Sequence, residues 1–116
     1  MKKIMIVEDD KTVASELYDL LVNASYEAII LEYFKNAKER IMDSNIDLIL
    51  LDINIPFLNG ELLLKEIRKE SNIPVIMITS KTNETDEVLS MSYGADDYIT
   101  KPYNPVILLL RISNIF

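Results

Sequence analysis

Two stretches of the chain end an apolar run in carboxylates. In MIVEDD, Met5, Ile6 and Val7 lead into Glu8, Asp9 and Asp10; in LILLDINIP, Leu48 to Leu51 lead into Asp52. Two carboxylates about 4 Å apart at an effective dielectric near 20 repel by roughly 4 kcal/mol. A fold that gathers them therefore needs a cation, a proton or a way to splay them. The chain has no cysteine and no histidine, so the thiolate and imidazole ligands of transition metals are missing, as is the usual general base. A metal held here takes oxygen ligands, and Glu8, Asp9 and Asp52 together suit Mg2+ or Mn2+. With such a cation and a positioned ammonium, Asp52 can act as a nucleophile that accepts a phosphoryl group. Lys101, just after the fifth apolar run, would supply the ammonium, and Thr79, at the end of the fourth, a hydroxyl for a phosphoryl oxygen.

These residues meet only if the elements between them bring the run ends together. Five short apolar runs read as strands: Ile4 to Val7, Ala28 to Leu31, Leu48 to Leu51, Val75 to Ile78, and a brief one around Tyr98 and Ile99. None alternates apolar with polar, as expected of strands covered on both faces. Segments of helical spacing lie between them. The first carries Val13, Leu17, Leu20, Leu21 and Ala24 on one face; the others are Asn36 to Asp43, Gly60 to Glu70, Thr85 to Tyr93 and Pro105 to Phe116. Strand and helix alternating five times predict an α/β fold, a doubly wound (βα)5 parallel sheet with helices on both faces. In such a sheet ligands bind beyond the carboxyl ends of the strands, where the strand order reverses. That is where Glu8, Asp9, Asp52, Thr79 and Lys101 fall if the first and third strands are neighbours. Asp10 reads instead as the N-cap of the first helix, its side chain accepting from the backbone near Thr12 and Val13.

Composition narrows the functions further. The 116 residues are enough for one domain and too few for two. The net charge of −7 and pI near 4.5 are wrong for gripping nucleic acid, which needs a basic face. No apolar run approaches the roughly 18 residues that cross a bilayer, so no membrane partner and a cytoplasmic location are expected. The two glycines, Gly60 and Gly94, cannot build a Walker loop or a GxGxxG fingerprint.

Taken together, IMIVEDD, LILLDINIP followed by Asn59 and Gly60, IMITS and GADDYITKPY stand in an order and spacing that resembles the receiver domains of two-component response regulators. The resemblance covers the whole chain, and GADDYITKP is especially similar to the OmpR/PhoB class. It implies a flavodoxin-like fold of strand order 2-1-3-4-5, counting the five strands along the chain. Asp52 would be the phosphoacceptor, supplied by a sensor histidine kinase. Glu8 and Asp9 would be the acid pair, Asp9 touching Mg2+ and Glu8 acting through water, with the backbone carbonyl of Asn54 completing the protein ligands. Thr79 and Tyr98 match the switch pair, Lys101 matches the phosphate-binding lysine, and a cis Lys101–Pro102 bond is expected. Members of this class carry a DNA-binding domain after the receiver, so DNA would be reached only through a separate effector domain, absent from these residues.

The class dimerises through its fourth helix, fifth strand and fifth helix by charge pairs, and here the pattern is only partly met. Asp97 and Arg111 occupy the positions of one pair; another falls on Glu87 and Ile107 and cannot form. The last helix is apolar nearly all round. Leu108, Ile112 and Ile115 can face the core, leaving Val106, Ile107 and Leu110 on another side, which predicts a homodimer or interdomain face more apolar than usual. Lys81, two residues past Thr79, is expected near the mouth of the site. Two other readings compete. A phosphatase of the haloacid dehalogenase kind also uses Mg2+ and a strand ending in aspartate, but needs a second acid where this chain has Asn54. A receiver-like module that binds without being phosphorylated is the other.

Overall fold

Side chains along a strand point alternately to opposite faces, so an uninterrupted apolar strand feeds two cores at once. The computed structural model, which describes residues 1–55, 58–80 and 84–116 and only the backbone at 84–86, has this arrangement. Its elements in chain order are β1 (Lys3–Val7), α1 (Lys11–Asn23), β2 (Glu27–Ile30), α2 (Ala37–Met42), β3 (Leu48–Leu51), β4 (Asn54–Ile55), β5 (Leu58–Asn59), α3 (Gly60–Arg68), β6 (Val75–Thr79), α4 (Glu84–Ser92), β7 (Asp97–Thr100) and α5 (Pro105–Ile115). Met5, Val7, Ile49, Leu51, Val75 and Met77 pack in one core with Ile41, Leu64 and Ile67 of α2 and α3. Ile4, Ile6, Leu48, Leu50, Ile76 and Ile78 pack in the other with Leu17 and Leu21 of α1 and Leu108 and Ile112 of α5. Each fully buried aliphatic side chain contributes about 1.5 to 3 kcal/mol of transfer free energy.

The main sheet runs β2-β1-β3-β6-β7, every neighbouring pair parallel. Counting only its five strands, this is the expected order 2-1-3-4-5 of a flavodoxin-like fold. Two details differ from the sequence expectation. The second strand is Glu27–Ile30 rather than Ala28 to Leu31, and Ala28, Ile29 and Ile30 are only half-buried, because β2 is an edge strand. A two-residue antiparallel ladder, Asn54 with Asn59 and Ile55 with Leu58, stands apart from the main sheet.

Local chemistry sets the helix ends. Asp10 caps α1, its Oδ1 accepting from the N–H groups of Thr12 and Val13 at 2.9 and 3.2 Å. Asn59 and Asn104 cap α3 and α5 in the same way, and Pro105 opens α5, where no N–H is needed. Lys65 and Arg68 lie in the last turn of α3, favoured by the helix dipole. Arg68 also ties α3 to the turn before β7. Its guanidinium donates to the carbonyls of Gly94 (2.9 Å) and Ile73 (2.6 Å) and to Asp96 Oδ2 (3.0 Å), which in turn accepts from Val75 N–H (2.8 Å). Gly94, at φ 106°, takes a left-handed turn and leaves no room for a β carbon, which would lie 2.9 Å from Arg68 Nε.

Candidate functional site

The parallel register places the acids. Val7 pairs with Leu51, so Glu8 and Asp52 leave β1 and β3 side by side, and Asp52 N–H donates to the Val7 carbonyl at 3.0 Å. One oxygen each of Glu8, Asp9 and Asp52 lies within 4.8 Å of the others. Glu8 and Asp52 are both 6% exposed, whereas Asp9 is open to solvent. Asp10 points elsewhere, into its cap.

Lys101 reaches the same point from the far side. Thr79 pairs with Thr100 at the ends of β6 and β7, and Lys101 N–H donates to the Thr79 carbonyl at 2.8 Å. The Lys101–Pro102 bond is cis. The Lys101 ammonium donates to Glu8 Oε1 and, at 3.2 Å, to Asp52 Oδ2. Each acid also holds a backbone donor: Asp10 N–H donates to Glu8 Oε2 at 3.2 Å, and Asn54 N–H to Asp52 Oδ1 at 3.1 Å. Burial pushes the Glu8 carboxyl above the ordinary glutamate value, a rise the hydrogen bond from Lys101 offsets only in part and the Asp52 charge reinforces. Burial alone would lower Lys101, but its bond to Glu8 and the charges of Asp52 and Glu8 together raise it.

The other expected residues fall as follows. Thr79 is fully buried at the end of β6, and Tyr98, 9% exposed in β7, packs in the same core as Met77 and Ala95. Asn54 is exposed in β4, directly after the site strand. Asp97 and Arg111 form an ion pair within the chain at 2.7 Å, beside exposed Ile107 and Leu110. Glu87 and Ile107 are both exposed. Lys81 lies outside the described residues. One feature was not anticipated: a cleft of about 430 Å³ beside Glu8 and Asp9, lined also by Lys11, Glu32 and Phe34. The only signal for it was that Glu32 closes the second apolar run.

Chemically, the donor set is three carboxylates with no nitrogen or sulfur ligand among the described residues, which fits a hard divalent cation such as Mg2+ or Mn2+. The Lys101 ammonium bridges two of the three acids and so places a positive charge beside the Asp52 carboxylate, within reach of an anionic group that approaches it. Among the described residues no helix is long and apolar enough to cross a membrane.

Known proteins share this frame. The model of the response regulator receiver domain matches residues 4–113. The transcriptional regulatory protein CpxR of Escherichia coli is 40% identical over 115 residues, 99% of this chain and 49% of CpxR. The uncharacterized transcriptional regulatory protein YvcP of Bacillus subtilis is 38% identical over 115 residues, 99% of this chain and 48% of YvcP. The chain thus spans about half the length of the curated relatives it matches. Among solved structures, the N-terminal receiver domain of Klebsiella pneumoniae RstA superimposes with a TM-score of 0.92 at 32% identity, covering 97% of each chain. An acid-and-lysine cluster at the strand ends of a 2-1-3-4-5 sheet, matched nearly end to end in sequence and in shape, makes this chain a receiver domain of the two-component response regulators.

Proposed function

We propose that the chain is a phosphoacceptor switch. A sensor histidine kinase presents a phosphohistidine, and an oxygen of Asp52 attacks its phosphorus. The new P–O bond forms as the P–N bond breaks, and the imidazole leaves with the electron pair. The observation that carries this reading is the placement of Lys101, whose ammonium contacts Asp52 and Glu8 together. Held between them, it can turn toward phosphoryl oxygens without leaving the site. Glu8, Asp9, Asp52 and the backbone carbonyl of Asn54 would hold the divalent cation, Mg2+ or Mn2+. When bound, it supplies positive charge that offsets the carboxylates and the incoming phosphoryl oxygens.

Thr79 would donate its hydroxyl to the phosphoryl group, and Tyr98 would follow it inward, shifting the population toward an active face of α4, β7 and α5. That face carries exposed Val88, Ile107 and Leu110 and the Asp97–Arg111 pair. Homodimerisation through it on activation would relay the signal to an effector domain that contacts DNA. The domain's own catalysis would be limited to this transfer and slow hydrolysis of the acyl phosphate, in the cytoplasm.

Incubation with acetyl phosphate and Mg2+ tests the reading. One phosphoryl group per chain is expected by intact mass, lost in Asp52→Ala and in EDTA. No adduct would favour the module that binds without phosphorylation; steady turnover of a generic phosphomonoester would favour the phosphatase.

A further inference from the structure

One of the two glycines in the chain lies against the backbone of the proposed phosphoacceptor. Gly60 opens α3 and is buried. Its N–H donates to the Ile53 carbonyl at 3.0 Å, and the residue before it, Asn59, pairs with Asn54 in the β4–β5 ladder. The chain that leaves the site at Asp52 therefore returns to it at Gly60. A β carbon at position 60 would lie 2.3 Å from the Asp52 carbonyl oxygen, 2.8 Å from Ile53 Cα and 3.0 Å from the Asp52 carbonyl carbon. All three are backbone atoms, which cannot swing aside as the end of a long side chain can. Gly60 is not among the positive-φ residues, so closeness alone requires the glycine.

We infer that Gly60 is a positioning residue for phosphoryl acceptance: its bare backbone lets α3 seat against Asp52 and hold that residue level with Glu8 and Asp9. The inference rests on the reading of Asp52 as phosphoacceptor. Relieving a 2.3 Å approach takes about 1 Å of relative movement between the first turn of α3 and the Asp52 backbone, a displacement on the scale that costs an aligned reaction about 100-fold. The share taken up by Asp52 would disturb its carboxylate's contacts with the Lys101 ammonium at 3.2 Å and the Asn54 N–H at 3.1 Å.

The experiment compares wild type, Gly60→Ala and Asn59→Ala, each with acetyl phosphate and Mg2+. Initial labelling rates, the Mg2+ concentration at half-maximal rate and thermal melts are read in buffer and in 1 M trimethylamine N-oxide, an osmolyte that favours the compact state. Gly60→Ala is expected to melt cooperatively yet label about 100-fold more slowly, with a raised Mg2+ midpoint. Asn59→Ala loses the cap of α3 but keeps the close approach, and is expected to label within about threefold of wild type. Three results would overturn the inference: Gly60→Ala labelling within about threefold of wild type, Asn59→Ala slowing as much as Gly60→Ala, or Gly60→Ala remaining unfolded in the osmolyte, which would make the glycine a requirement of the whole fold. Wild type that takes up no phosphoryl group refutes the Asp52 reading itself, an outcome distinct from these three.

Discussion

Replacing Lys101 by methionine keeps most of the length of the side chain and removes its charge, leaving Glu8 and Asp52 facing one another. Their oxygens lie within 4.8 Å, so at an effective dielectric near 20 the repulsion is about 3.5 kcal/mol. Two effects reduce the observable loss. Glu8 already holds its proton more tightly than an ordinary glutamate and would take one up, and the desolvation of Lys101 itself is removed. A net loss of about 2 kcal/mol at pH 7 without divalent cation is expected, below the roughly 3 to 5 kcal/mol for breaking a fully buried pair because the Lys101 side chain stays partly open to solvent. For a domain of this size that is a fall of roughly 8 °C in melting temperature. The assay is thermal unfolding of wild type, Lys101→Met, Glu8→Gln and the double variant. The deficit of Lys101→Met should shrink toward pH 5, where Glu8 protonates more readily, and the double variant should recover most of it. A deficit that stayed constant with pH and was untouched by Glu8→Gln would refute the electrostatic account of this site.

Other expectations are independent of that one. Millimolar Mg2+ should raise the melting temperature by binding only the folded site, and Asp9→Ala should abolish the rise, as differential scanning fluorimetry would show. Asp10→Ala should cost about 1 kcal/mol by removing the α1 cap while leaving the Mg2+ response intact. Leu64→Ala, at a fully buried position, should cost about 2 to 5 kcal/mol in urea unfolding. Burial, reinforced by Glu16, raises the Tyr103 phenol above its ordinary value of 10.0. Its folded pKa is the higher, so its contribution to stability is complete below pH 10 and lost as pH rises through the folded value. Ultraviolet titration should therefore lose a late-ionising component in Tyr103→Phe.

Much of this molecule is written locally. The first three strands of the main sheet are visible because their apolar runs end abruptly in acids, and Asp10 is recognisable as a cap from its place before a helical pattern. β2 was misjudged as fully covered because a run such as AIIL looks the same in a central strand and at an edge; only pairing distinguishes them. The β4–β5 ladder is two residues a side, below the length at which alternation can be read. The knot of Arg68, Gly94 and Asp96 joins residues far apart in sequence and needs the tertiary approach of α3 to the turn before β7. The same holds for Gly60, whose significance is the backbone atom it touches. At the site the residue types were legible, but the bridging of Glu8 and Asp52 by one ammonium depends on the register of four strands.

The most direct test asks whether Asp52 itself accepts the phosphoryl group. Borohydride reduces an acyl phosphate to an alcohol, so a chain labelled with acetyl phosphate and Mg2+, then reduced, carries homoserine at the acceptor position. Fragment mass spectra should place homoserine at position 52 and leave Glu8, Asp9 and Asp10 unchanged. Homoserine at another position, or an unmodified Asp52 in a chain that gained the phosphoryl mass, would contradict the account.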